Sequence, residues 1–270
     1  MVTAPAADLG RFRAVVLDID GTLAGADHRV SPFAAEVVRR LAAAGPKVII
    51  STGRSQLAAT RLALQVGANA PVISANGAVV ADFRTGQRLR LVGLAPDLVA
   101  HYLTLADRPG VEAMIWTPDD LICAGPGLMK DLMDLADERP VTFRPRAEWP
   151  SDGVVKVLFG AEPSLLDALD LADYPLIQRS LSHFIEATDA AARKDSALTW
   201  LLARLGVSPD QTIVFGDAET DLASVRLAGL GVAVAGAIPQ VRAAAGAVIG
   251  ANSDDAVAHY LNQGYALGAR

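Results

Sequence analysis

Phe12–Thr22 reads FRAVVLDIDGT, and this stretch decides the fold. Phe12 to Ile19 is a short, mostly apolar run rich in β-branched residues, as a buried strand requires. It closes on Asp18-Ile19-Asp20-Gly21-Thr22. In an open α/β sheet, ligands bind just beyond the carboxyl ends of the strands. Residues two apart in an extended segment point the same way, so Asp18 and Asp20 are expected to face one pocket. Gly21 lets the chain turn sharply away, where a side chain would obstruct it.

Working outward, Ser31-Pro32 supplies an N-cap and a first-turn proline for a helix that should end at Gly45-Pro46. A second strand (48–51), a second helix (56–66, closed by Gly67) and a third strand (72–74) follow. Strand and helix alternating in this way predict a parallel sheet with crossover helices. The rhythm then changes. Residues 78–82 and 88–94 flank Arg84-Thr85-Gly86-Gln87 as a hairpin, and residues 96–187 carry more Pro and Gly. After Asp189 the first rhythm returns, with helices expected over 194–205, 222–228 and 254–261 and strands over 212–215, 232–234 and 247–249. The expected architecture is therefore an α/β Rossmann-like parallel-sheet core, residues 1–83 and 188–270. An inserted α/β cap domain, residues 84–187, separates its halves.

Composition narrows the function. Of the 270 residues, 51% are apolar and only 5% aromatic, which suits a parallel core packed through small side chains. Thirty acidic against 24 basic residues give a net charge of −6 with no basic block, so nucleic acid is not an expected partner. One cysteine, Cys123, excludes an internal disulfide and, lying in an apolar run, reads as a small buried hydrophobe. The four histidines share no ligand spacing that would mark a zinc site. The most apolar stretch, 227–251, is interrupted by Pro239, Gln240 and Arg242, so no membrane span is expected. The first ten residues lack the basic-then-apolar order of a secretory leader, and a cytoplasmic location is expected.

Three further segments could carry chemistry. Ser51-Thr52-Gly53-Arg54 follows the second strand, where a hydroxyl and free N–H groups make a phosphate cradle; an ordinary helix entry is the plain alternative. Lys194 opens a helix where an acidic first turn is preferred, so it either serves something else or is simply solvated. Gly216-Asp217-Ala218-Glu219-Thr220-Asp221 again places carboxylates at a strand end. Asp18, Asp217 and Asp221 would repel one another without a cation among them, and hard oxygen ligands suit Mg²⁺. Acids complementing a helix dipole are the alternative there.

These segments resemble the four motifs of the haloacid dehalogenase superfamily, and their arrangement is similar to its Cof-like branch, subfamily IIB. Asp18 and Asp20 match the first motif, Thr52 the second, Lys194 the third, and Asp217 with Asp221 the fourth. Ser74-Ala75-Asn76-Gly77-Ala78 matches the branch's Asn-Gly segment. Two positions depart from the pattern: Thr220 and Gly236 stand where the branch usually has asparagine.

The resemblance implies a Mg²⁺-dependent phosphatase for a small phosphorylated metabolite, a sugar phosphate or similar monoester. Asp18 would be the nucleophile that forms an aspartyl-phosphate, and Asp20 the acid and base, which calls for a raised pKa. Thr52, Gly53, Asn76, Lys194 and Thr220 would contact substrate. Asp18, the backbone carbonyl of Asp20 and Asp217 would hold the metal, with Asp221 ordering its water. The cap would supply specificity; Trp116 and Lys156 are candidates there. Arg54 reads as a surface or inter-domain residue and His28 as an exposed loop histidine. A phosphomutase of the same superfamily and a weakened phosphate-binding or signalling protein are the rival readings. The sequence leaves open whether the protein is a monomer or a homodimer.

Overall fold

The computed structural model describes residues 9–135 and 140–268. The chain opens with β1 (Ala14–Leu17), α1 (Pro32–Ala43), β2 (Lys47–Ile50), α2 (Gln56–Val66), β3 (Val72–Ser74), β4 (Val79–Ala81) and β5 (Arg88–Leu91). It continues with α3 (Pro96–Leu103), β6 (Glu112–Trp116), β7 (Leu121–Cys123), α4 (Leu128–Leu135), β8 (Val141–Phe143), β9 (Lys156–Gly160), α5 (Pro163–Asp167), β10 (Ile177–Leu181) and β11 (Phe184–Ala187). It closes with α6 (Lys194–Leu205), β12 (Thr212–Gly216), α7 (Glu219–Leu227), β13 (Leu230–Ala233), α8 (Pro239–Ala244), β14 (Ala247–Val248) and α9 (Ala256–Gly264).

Five strands form a parallel sheet in the order β14-β13-β12-β1-β2. Its centre is buried without interruption: AVVL in β1 and TIVFG in β12 are covered throughout, as strands with a layer on both faces must be. Each fully buried Val or Leu there contributes roughly 1.5–3 kcal/mol. From β1 the chain moves to one side, to β2, whereas β12, β13 and β14 step away on the other. The strand order thus reverses between β1 and β12, and that is where the carboxyl ends of an open α/β sheet leave a crevice.

The third strand differs from expectation. β3 touches the parallel sheet through a single bridge, Ser51 to Ile73, and otherwise pairs antiparallel with β4, which pairs with β5. Three residues are too few to form a full ladder on both edges, and the hairpin partner wins. β5 belongs to this small sheet although it follows residue 84. Likewise α7 begins at Glu219, three residues before the expected start, because Asp221 in its first turn caps the chain from inside.

The second large sheet has the order β10-β11-β9-β6-β7-β8. Strand alternation gives it two different faces. Ile115, Val157, Phe159 and Ile185 pack with Val99 and Tyr102 of α3. Met114, Leu158 and Phe184 point the other way and join the main core with Met129 and Met133. Trp116, Lys156 and Glu186 share this second face by register. Among the described residues, no helix is long and apolar enough to cross a membrane.

Candidate active site

The register of the parallel sheet aligns three strand ends. Leu17 lies opposite Ile50 on one side and Phe215 on the other, so Asp18, Ser51 and Gly216 emerge together. Asp18 is buried, and its amide donates to the Phe215 carbonyl at 3.3 Å. Lys194, only 4% exposed, reaches the same place from the first turn of α6. Its Nζ lies 2.6 Å from Asp18 Oδ1 and 2.8 Å from Asp221 Oδ1. A cation opens this helix because its ammonium is spent on two buried carboxylates and not on the helix dipole.

Asp221 is held from both sides, its Oδ2 accepting the amides of Asp217 and Ala218 at 3.2 and 3.1 Å. Asp217 Oδ1 accepts the Thr22 hydroxyl at 2.5 Å. One oxygen from each of Asp18, Asp217 and Asp221 lies within 4.8 Å of the others. Three carboxylates against one ammonium leave two negative charges in a poorly solvated space. Burial first, and then the neighbouring Asp221 charge, push the Asp18 carboxyl well above its ordinary range, although Lys194 opposes them. Asp217 is raised too, by burial and by Asp221, against the Thr22 hydrogen bond. Lys194 is raised because Asp18 and Asp221 outweigh its own burial. A divalent cation fits this oxygen-only set, since it would offset the negative charge that three converging carboxylates concentrate there.

Two glycines let the cluster form. Gly21 has φ +82°, and a Cβ there would lie 2.4 Å from Asp217 Oδ2. Gly77 has φ +98°, and a Cβ would lie 2.3 Å from the Arg193 carbonyl oxygen, forcing Lys194 away.

Asp20 departs from expectation. Its carboxylate stands outside the three-carboxylate group and takes Arg54 Nε at 2.8 Å, Arg54 Nη2 at 2.6 Å and His28 Nδ1 at 2.9 Å. Burial would raise its pKa, but the Arg54 and His28 hydrogen bonds and charges outweigh it, and the Asp20 carboxyl is lowered, not raised. The cause is local: Ile19–Leu23 is not an extended segment, so alternation does not hold past the strand end. Arg54 is therefore no surface residue; it is 8% exposed.

Thr52 is buried, its Oγ1 accepting the Arg54 amide at 3.2 Å. Asn76, in a left-handed conformation, donates its backbone amide to the Thr52 carbonyl at 3.2 Å and its side-chain amide to Glu186 Oε1 at 2.7 Å. The Gly53 carbonyl accepts Lys156 Nζ at 3.4 Å, and the same ammonium lies 2.9 Å from Glu186 Oε2 and 4.5 Å above the Trp116 ring. Asn76, Lys194 and Thr220 line one cavity of about 340 Å³, together with Gln178, Asp189 and Glu219. Gly236 is exposed, with open space where a Cβ would stand. Thr22, Arg54 and Glu186 escaped the sequence reading. The alternation of β11 with Phe184 turned to the main core could have flagged Glu186, while Thr22 and Arg54 lie inside the quoted strand-end segments and lacked only an assigned partner.

Residues 15–261 match the model of the haloacid dehalogenase-like hydrolases. The chain belongs to that family. It is an enzyme. An HMP-PP phosphatase of Serratia proteamaculans is 29% identical over 93% of this chain and 94% of its own length. A phosphoglycolate phosphatase of Methanothermobacter thermautotrophicus is 27% identical over 93% of this chain and 98% of its own. Among solved structures, the subclass IIB sugar phosphatase BT4131 superposes with a TM-score of 0.81, at 20% identity, over 95% of this chain and all of its own. The chain is accordingly a phosphoric monoester hydrolase.

Proposed function

We propose that this chain is a magnesium-dependent phosphatase that hydrolyses a small phosphorylated metabolite through an aspartyl-phosphate on Asp18. The observation that carries it is the convergence of Asp18, Asp217 and Asp221 on one point with Lys194 between two of them. Asp18, Asp217 and the Asp20 carbonyl would hold Mg²⁺, with Asp221 behind them. Bound there, the cation would neutralise charge between the entering carboxylate and the phosphate.

Asp18 attacks phosphorus, and the bond to the leaving oxygen breaks as the new bond forms. Lys194, 2.6 Å away, favours the ionised nucleophile despite burial. Thr52 and Lys194 bind non-bridging oxygens. Asp20 protonates the leaving oxygen and then takes a proton from the water that cleaves the acyl phosphate. Arg54 keeps Asp20 ionised, which suits the second half; the first half requires Asp20 to turn from Arg54 with a proton. Residues 84–187 act as the cap that excludes bulk water and selects substrate.

The volume of the cavity that Asn76, Lys194 and Thr220 line suits a small metabolite. A sugar phosphate or a similar monoester fits. Phosphate release from a generic chromogenic ester, with and without Mg²⁺, tests the proposal; metal-independent release, equal in Asp18→Asn, would refute it.

A further inference from the structure

We infer that Lys156 and Glu186 are positioning residues for Thr52, so that closing the cap and assembling the phosphate-binding hydroxyl are one event. The inference rests on the phosphatase reading above and adds a role which that reading does not need.

The connection runs through one peptide unit. The carbonyl of Gly53 and the amide of Arg54 belong to the same trans peptide and point in opposite directions. The carbonyl accepts Lys156 Nζ of β9 at 3.4 Å; the amide donates to Thr52 Oγ1 at 3.2 Å. A threonine hydroxyl carries one proton and two lone pairs. With a lone pair engaged by Arg54, the hydroxyl proton is free to donate to a phosphate oxygen. Lys156 therefore fixes, through the peptide plane, the direction in which Thr52 can donate.

Glu186 of β11 grips the other side of the same residue. Its Oε1 accepts the Asn76 side-chain amide at 2.7 Å, and the Asn76 backbone amide donates to the Thr52 carbonyl at 3.2 Å. Glu186 Oε2 meets Lys156 at 2.9 Å, which closes the loop. The ion pair is nearly buried, at 4% and 15% side-chain exposure. Burying an ion pair is costly and is weak evidence of stabilisation, so a functional role is the better account of its place. Trp116, 4.5 Å beneath the ammonium, keeps Lys156 from swinging away.

The test measures binding of inorganic phosphate in MgCl₂ by titration calorimetry, because free phosphate has no leaving group for the cap to contact. Lys156→Met should weaken phosphate binding about tenfold, the scale of one aligned hydrogen bond. In a Thr52→Ala background the same substitution should cost nothing further, as residues acting in series are non-additive. Lys156→Arg should restore part of the loss. Glu186→Gln should reproduce the pattern and serves if Lys156→Met does not fold. Unchanged phosphate affinity in Lys156→Met, effects that multiply with Thr52→Ala, or a wild type that binds no phosphate would overturn the inference. Failure of the wild type to hydrolyse any ester while its phosphate affinity still depends on Lys156 would sink only the phosphatase reading.

Discussion

Arg54 holds Asp20 with two nitrogens, at 2.8 and 2.6 Å, and so ties the loop after β2 to the loop after β1. A guanidinium engaging a carboxylate through two of its nitrogens fixes direction as well as charge. Arg54→Met should therefore lower kcat by about 10- to 100-fold with little change in KM, since Asp20 would remain present but unaimed. Arg54→Lys should restore little, because an ammonium cannot make the paired contact. Steady-state kinetics decide it, and a kcat within twofold of wild type would remove Arg54 from the machinery.

Removing the covalent step should be far more severe. Asp18→Asn is expected to lose at least ~10³-fold in turnover. Rapid-quench detection of a phosphorylated protein should succeed in the wild type and fail in this variant.

The magnesium requirement isolates Asp217. Chelation should abolish turnover, and Asp217→Asn should shift the Mg²⁺ titration to higher concentration by about tenfold or more. An unchanged titration midpoint would mean that Asp217 is no ligand.

Lys194 also bears on stability. Without metal, Lys194→Met leaves two buried carboxylates without their countercharge, a change that costs roughly 3–5 kcal/mol. Chemical denaturation in chelator reads this directly. Gly77→Ala should act on the same contact by forcing the 193–194 backbone away. Gly86→Ala, also at positive φ but in open space, should cost only the smaller backbone penalty.

Cys123 is buried, and burial raises its thiol pKa. A raised pKa means less thiolate at a given pH, and the thiolate is the reactive form. Alkylation of the folded protein near neutral pH should be much slower than that of free cysteine, and fast on addition of denaturant. Mass spectrometry of a timed reaction checks both halves.

By itself the sequence determined the parallel core and the strand-end carboxylates. Buried apolar runs ending in acid are written in consecutive residues, as is the cap of α1 at Ser31. It also placed Asp18, and Asp217 with Asp221, at the ends of two strands that converge if the sheet is parallel, whereas for Lys194 it left a solvated lysine open. Only the tertiary structure decided what Asp20 faces, because the turn after β1 abandons strand alternation and Arg54 arrives from another loop. Only it joined β3 to a hairpin, and only it brought Lys156 and Glu186 to Gly53 and Asn76. Local pattern fixes which way a side chain leaves its own backbone; which partner waits there depends on other segments, 34 residues away for Arg54 and Asp20 and 110 for Glu186 and Asn76.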